Sequence, residues 1–281
     1  MPEMRGSASE HLATQSVLPR TLARARTLQA RLLPQGWLDV LRQIALFGLA
    51  YLAYRLVRGL VEGDANAAFA HARDVISLEL SLHIFVEPSI QAWAMGSRAL
   101  MGFLSWTYLN AQTTVTVAAL VYLYVRHNKS FYFVRNMFVI AMFIALIGYT
   151  VFPTAPPRFM PEWGFIDSVS NFTGMHLETA HGGGGASTAL TNLYAAVPSM
   201  HVCFALMIGW PLARLARRRI VKALWLLYPF LMAFVIIATA NHFIFDAVLG
   251  ALTAGASAYG ATWLARARPV WRFSAAPAST A

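Results

Sequence analysis

The chain has 281 residues, of which 58% are hydrophobic and only 12% are charged, and its formal net charge is +10 at neutral pH. This composition is too apolar for an ordinary soluble domain and indicates a protein that spans a membrane. The positive charge is concentrated in clusters beside apolar runs, which favours a role in membrane orientation over a nucleic-acid surface. The single cysteine, Cys203, excludes an intramolecular disulfide.

Residues 1–36 come first and predict a cytoplasmic tail, because they lack the apolar core of a cleavable signal peptide. Six apolar segments follow, and a helix needs about 20 mostly apolar residues to cross the hydrocarbon core. These candidate spans are residues 40–60, 100–125, 131–152, 199–213, 223–240 and 243–264. The sequence therefore predicts an all-α, polytopic membrane bundle of about six transmembrane helices over residues 37–266, followed by a cytoplasmic tail over residues 267–281.

Basic residues support this count and give the orientation. Clusters of arginine and lysine precede the first candidate span and follow the second, fourth and sixth. Six crossings place all four clusters on one side, and cytoplasmic loops carry an excess of such residues. We therefore expect a cell-membrane protein whose two termini are cytoplasmic.

The first outer connection contains residues 65–93, which are less apolar than the candidate spans. They predict an amphipathic helix that lies at the outer interface, with Glu79 and His83 in contact with solvent.

The longest connection, residues 153–198, also lies on the outer side. Four consecutive glycines at residues 182–185 predict a mobile loop, since glycine removes side-chain restraint. His176 and His181 flank this run, but neither a cysteine nor a close carboxylate pair completes a metal site. The sequence therefore predicts neither a metal nor another cofactor.

His242 and Asp246 lie four residues apart in the last apolar segment, where ionisable groups are costly and usually mark chemistry or transport. On a helix they share a face, with Cβ atoms roughly 5–6 Å apart, so the carboxylate can fix the tautomer of the imidazole. His201 stands at the outer start of the fourth segment, and Arg158 follows the outer end of the third. We expect these four side chains to converge at one membrane face.

The converging groups suit phosphoryl transfer on a lipid. The guanidinium of Arg158 can bind two phosphate oxygens at once, and one histidine can attack phosphorus while the other protonates the leaving oxygen. Pro198 suits the first turn of a helix, which would leave the N–H groups near Ser199 to bind the same anion. The candidate headgroup contacts are Asn192, Tyr194 and Asn241.

At these residues the chain resembles the type 2 phosphatidic acid phosphatase superfamily of membrane enzymes. Residues 198–201 (Pro-Ser-Met-His) resemble the second motif of the superfamily, and residues 242–246 followed by Gly250 resemble the third. Residues 153–158 resemble the first motif as found in the inositol phosphorylceramide synthase-like branch. The resemblance covers about residues 108–250, and three motifs in the correct order are together specific.

The resemblance implies a role for each residue. His242 would be the nucleophile that forms a phosphohistidine, and Asp246 its orienting partner. His201 would be the general acid for the leaving group, and Arg158 a phosphate ligand.

Two positions depart from the general phosphatase pattern, because Val151 and Ile236 stand where that pattern has Lys and Arg. The synthase-like branch also lacks these cations and transfers a phospho-headgroup to an alcohol, so hydrolysis and transfer both stay open. A transporter with a proton or anion path through the histidines is the alternative of another class. The clustering of polar residues at one end of the spans favours the enzyme.

Overall fold

The computed structural model of the chain describes residues 33, 35–60, 64–174 and 192–267. Within these residues it contains nine α-helices and no β-strand, which confirms the predicted all-α bundle. The helices are α1 (Gly36–Leu60), α2 (Ala65–Ser81), α3 (Glu87–Met95), α4 (Arg98–Arg126), α5 (Asn128–Val151), α6 (Ser168–Thr173), α7 (Met200–Leu215), α8 (Arg219–Ala238) and α9 (Ile244–Ala267). Two 3-10 turns, Pro157–Phe159 and Pro161–Trp163, lie between α5 and α6.

Three predictions from the sequence concern residues that lie largely outside the described part of the chain. The predicted N-terminal and C-terminal tails lie mostly outside the described part of the chain, as do the glycine run at residues 182–185 and the flanking His176 and His181.

Each of the six candidate spans forms a helix with ends close to those predicted. Four of these helices are long and apolar enough to cross a membrane, namely α1, α5, α8 and α9. Helix α7 is apolar but shorter, and α4 has 29 residues but carries Asn110, Gln112 and Thr113 in its middle. The exact number of crossings therefore stays a prediction.

The predicted single helix over residues 65–93 is wrong, because α2 and α3 are separate helices. His83 adopts a left-handed backbone conformation (φ 57°) just after α2, and Pro88 suits only the first turn of the helix that follows. The side chain of Glu79 is also not solvated, since the residue is 1% exposed. His83 is exposed, as expected.

Helix packing brings one end of three helices together. Helix α9 packs against both α5 and α7, and α7 packs along α8. The N–H of Ser199, directly before α7, donates to the carbonyl of Asp246 in the first turn of α9 at 3.0 Å. The C-terminal end of α5 meets the same place, since Gly148 lies against Pro198. The three segments that carry the proposed chemistry thus share one end of the bundle.

Candidate active site

A tight turn between α8 and α9 presents His242. Helix α8 ends at Ala238, and the carbonyl of Ile236 then accepts the N–H groups of Asn241 at 3.0 Å and His242 at 3.2 Å. Ala240 adopts a left-handed conformation (φ 52°) within this turn. Its carbonyl accepts the N–H of Arg158 at 2.8 Å, so the turn and the segment of the first motif are joined.

The imidazole of His242 hydrogen-bonds the carboxylate of Asp246, with Nδ1 and Oδ2 3.1 Å apart. Asp246 is completely buried, and the same oxygen accepts the N–H of Phe243 at 3.0 Å. Because the carboxylate is an acceptor, Nδ1 carries the proton, and Nε2 of the neutral ring keeps its lone pair. The pair has the form of a nucleophile or base with its orienting group.

His201 lies beside this pair in the first turn of α7. Its ring stacks on Tyr108 of α4, with centroids 4.6 Å apart, and its centroid is 5.6 Å from that of His242. Two imidazoles at this separation are close enough to contact the same phosphoryl group.

The guanidinium of Arg158 is held against the same turn. Its Nη1 donates to Oδ1 of Asn241, whose amide nitrogen donates to the Thr239 carbonyl at 3.1 Å. The group also lies over the ring of Phe159, 4.6 Å from the centroid. Nε of Arg158 is buried and has no acceptor among the described residues. Asn241 therefore positions Arg158, a role that the sequence prediction of a headgroup contact did not include.

These groups line one cavity of about 270 Å³. Of the predicted site residues, His242, His201, Arg158, Asn192 and Asn241 line it. The described residues contain no group of three His, Cys, Asp or Glu side chains that could hold a metal ion.

Three predicted site residues, namely Asp246, Ser199 and Tyr194, do not line this cavity, although Asp246 is hydrogen-bonded to His242, which does. Ser199 is completely buried, and its N–H is taken by the Asp246 carbonyl rather than left for an anion. Helix α7 begins at Met200, so Pro198 precedes the helix instead of lying in its first turn. Tyr194 packs edge-on against Phe69, with centroids 6.3 Å apart.

Two glutamates that were not predicted from the sequence lie against the start of α9. The N–H of Ile244 donates to Glu87 at 3.0 Å, and the N–H of Phe245 donates to Glu79 at 2.8 Å. With Asp246 on the N–H of Phe243, three carboxyl groups satisfy the start of α9. Carboxylates are favoured at a helix N-terminus by the unpaired N–H groups and by the helix dipole.

Glu79 and Glu87 form an acid pair. The two carboxyl groups are close enough to influence each other, and both are buried. Oε2 of each group is buried and has no hydrogen-bond partner among the described residues. Burial, followed by the proximity of Glu87, raises the pKa of Glu79 to about 9, so Glu79 holds the proton at neutral pH.

The protonated Glu79 predicts a pH-dependent stability. Between the ordinary pKa of 4.5 in the unfolded chain and about 9 in the folded one, unfolding releases this proton. The free energy of unfolding should therefore fall as the pH rises from 5 to 9, with a slope that approaches about 1.4 kcal/mol per pH unit. We expect Glu79→Gln, which resembles the protonated acid, to flatten the pH dependence of the melting temperature in detergent. Glu162→Gln, at an exposed position, is the control, and an unchanged slope in Glu79→Gln would contradict the assignment.

Arg55 of α1, which was also not predicted as a site residue, lines the cavity together with Arg158. Arg55 lies within the candidate span over residues 40–60, and an ionisable residue at membrane depth is the same signal that singled out His242. No local pattern marks Glu79 and Glu87 in the same way.

Comparison with known proteins adds one finding. A family model described as the PAP2 superfamily matches residues 73–260, which include the second half of α2, all of α3 to α8 and most of α9. The match contains the two histidines, Asp246 and Arg158, and it begins after α1. No curated protein and no solved structure shows significant similarity to the chain.

Proposed function

Because the chain belongs to the PAP2 superfamily of phosphatase-type enzymes, we propose that it is an integral membrane lipid phosphatase or phosphotransferase. Its substrate is a lipid phosphate or phosphodiester, which it attacks at the extracytoplasmic face through a phosphohistidine. One observation carries the proposal, namely that the His242–Asp246 pair, His201 and Arg158 meet at one cavity. The four long apolar helices support a membrane location.

In the first step, Nε2 of His242 attacks phosphorus, and the bond from phosphorus to the leaving oxygen breaks. Asp246 stabilises the imidazolium that forms, because it holds the proton on Nδ1. His201 begins this step protonated and gives its proton to the leaving oxygen. The lipid alcohol departs, and the phosphoryl group stays on His242.

In the second step, the oxygen of water or of an alcohol attacks the phosphohistidine, and the bond from phosphorus to nitrogen breaks. His201 now accepts the proton of the attacking hydroxyl and returns to its initial state. Throughout both steps Arg158 binds the non-bridging oxygens, on which the negative charge of the transition state is concentrated.

Transfer to an alcohol is the second candidate, and one feature of the cavity favours it. Hydroxyl and amide side chains from the membrane helices line the wall beside the histidines, namely Tyr51, Tyr108, Gln112 and Thr113. Such groups can hydrogen-bond the hydroxyls of a polyol acceptor, as expected for the inositol phosphorylceramide synthase-like branch.

The test is product formation by the purified full-length protein from a panel of lipid phosphates and phosphodiesters, with and without a polyol. Release of inorganic phosphate without an acceptor identifies a phosphatase. A new phosphodiester that forms only with the polyol identifies a transferase. A folded protein that turns over none of these substrates would contradict the proposal.

Orientation can be tested with the same reaction. The clustering of basic residues on one predicted side supports cytoplasmic termini and an extracytoplasmic site. Sealed cells that produce the protein should convert an added, membrane-impermeant substrate without permeabilisation. Conversion that requires permeabilised cells would reverse the assigned orientation.

A further inference from the structure

The cavity contains a second arginine that comes from outside the segment matched by the family model. Arg55 lies in α1 (Gly36–Leu60), whereas the match begins at residue 73. Its side chain lines the cavity that also contains Arg158, His201 and His242. No aspartate or glutamate is among the described residues that line this cavity. The lining is therefore cationic and suits an anion.

Arg55 carries an unsatisfied donor at this place. Its Nε is buried and has no hydrogen-bond acceptor among the described residues, as is also true of Nε in Arg158. Because neither Nε has an acceptor and no carboxylate among the described residues lines the cavity, an anion bound there would supply the negative charge that both guanidinium groups lack. A phosphoryl group has enough non-bridging oxygens to serve both guanidinium groups.

The position of Arg55 is fixed at the cavity end of α1. The neighbouring Tyr54 is buried and hydrogen-bonds the hydroxyl of Tyr149 in α5 at 3.3 Å. Tyr149 in turn donates to the carbonyl of Pro198 at 3.4 Å. This chain of contacts ties α1 to the segment that precedes His201.

The other end of α1 is fixed by a buried polar cluster. The carboxylate of Asp39 accepts hydrogen bonds from Tyr124 at 2.8 Å, from Tyr132 at 2.6 Å and from Gln43 at 2.9 Å. Asp39 and Arg55 are about 24 Å apart along a straight helix. Contacts at both ends set the rotation and depth of α1, which keeps Arg55 at the cavity.

The two positions where the general phosphatase pattern has cations are not available for this role. Val151 is 72% exposed on the outside of the bundle, and Ile236 is buried in an apolar cluster with Val202 and Ala247. Arg55 reaches the cavity from a different helix and supplies a positive charge that these positions lack.

We propose that Arg55 is a second ligand of the substrate phosphoryl group, opposite Arg158, and that α1 is part of the active site rather than only a membrane anchor. The inference rests on the proposed function, since it assigns Arg55 to the same site. It makes the enzyme selective for dianionic phosphate monoesters, because a second guanidinium interacts more strongly with a second negative charge.

The test compares Arg55→Met and Arg55→Lys with the wild type in purified full-length protein. We expect Arg55→Met to lower kcat/KM for a lipid phosphate monoester about tenfold to a hundredfold, the effect of losing hydrogen bonds to a charged group. Arg55→Lys should recover part of the loss, because it restores charge without the two-pronged geometry. The loss should be smaller for a phosphodiester, a difference that a purely structural defect does not produce.

Arg42→Met is the matched control, since it removes the same charge from an exposed position of the same helix. It should leave kcat/KM within about twofold of the wild type, an ordinary result for an exposed substitution.

Binding of inorganic phosphate separates this inference from the proposed function. Phosphate should raise the melting temperature of the wild type. In Arg55→Met, about tenfold more phosphate should be needed for the same increase. Equal phosphate stabilisation of both proteins would overturn the role of Arg55, whether or not the wild type is active. Normal phosphate binding through Arg55 in a protein that turns over no phosphate ester would instead overturn the proposed function. If Arg55→Met does not fold, Arg55→Lys with unaltered phosphate binding overturns the role of Arg55.

Discussion

Replacement of His242 by alanine should reduce turnover of a lipid phosphate by roughly 10⁴-fold or more, the scale seen when a covalent nucleophile is removed. The imidazole that would bond to phosphorus is absent in this variant, and the ring of His201 is 5.6 Å away and occupies a different position. Phosphate release under single-turnover conditions is the measurement. Trapping of radioactive phosphate on the denatured wild type, and its absence in His242→Ala, would identify the covalent step.

Substitution of Asp246 provides a second test of the same mechanism. Asp246→Asn should cost less than His242→Ala, because Asn keeps an acceptor for the N–H of Phe243 but loses the charge that stabilises the imidazolium. The double variant His242→Ala with Asp246→Ala should be hardly worse than His242→Ala alone, since the two side chains act as one unit. Normal turnover in His242→Ala would remove the nucleophile from the mechanism and return the pair to a structural role.

His201 supplies an internal control for this scheme. A general acid is needed only when the leaving oxygen must be protonated, so His201→Ala should be most impaired on alkyl phosphates. An aryl phosphate with an acidic leaving group should restore part of the first step. An equal loss on both substrates would argue against the assignment of His201 as the acid.

The parts of the site that were predictable from the sequence depend on residues that are close together in the chain or lie at the ends of apolar segments. The pairing of His242 with Asp246 follows from the period of one helix, and the ends of the apolar segments place His201 and Arg158 at one end of the bundle. Periodicity and composition therefore predicted the fold class and four residues of the cavity region.

The parts that were missed depend on contacts between distant segments. Glu79 and Glu87 meet the start of α9 across 166 and 157 residues of sequence, and no local pattern encodes such a contact. Both lie in a stretch whose moderate polarity suggests a solvated helix, and the predicted solvent exposure of Glu79 was therefore wrong. Ser199 is a related case. Because α9 approaches α7 closely, the N–H of Ser199, which was expected to bind phosphate, donates to the carbonyl of Asp246 instead.

That close approach depends on Gly250, which lies on α9 one turn beyond Asp246. A Cβ atom at this position would collide with the carbonyl oxygen of Ser199, and it would come within 3.5 Å of the backbone nitrogen of Cys203. The obstructing atoms belong to the backbone of α7 and its N-cap, so they cannot move aside as a side chain can. A substitution must therefore separate α9 from α7, which would move His242, directly before α9, relative to His201 in α7.

We expect Gly250→Ala to lower kcat/KM about a hundredfold, because a displacement of roughly 1 Å between catalytic groups has an effect of that size. Gly255→Ala is the matched control on the same helix, since a Cβ atom there meets nothing within 4 Å. Because alanine favours helix more than glycine does, Gly255→Ala should be neutral or slightly stabilising. Overpacking at Gly250 should also lower stability by about 1–3 kcal/mol, which thermal unfolding in detergent would measure. Full activity in Gly250→Ala would show that the contact between α7 and α9 does not set the geometry of the two histidines.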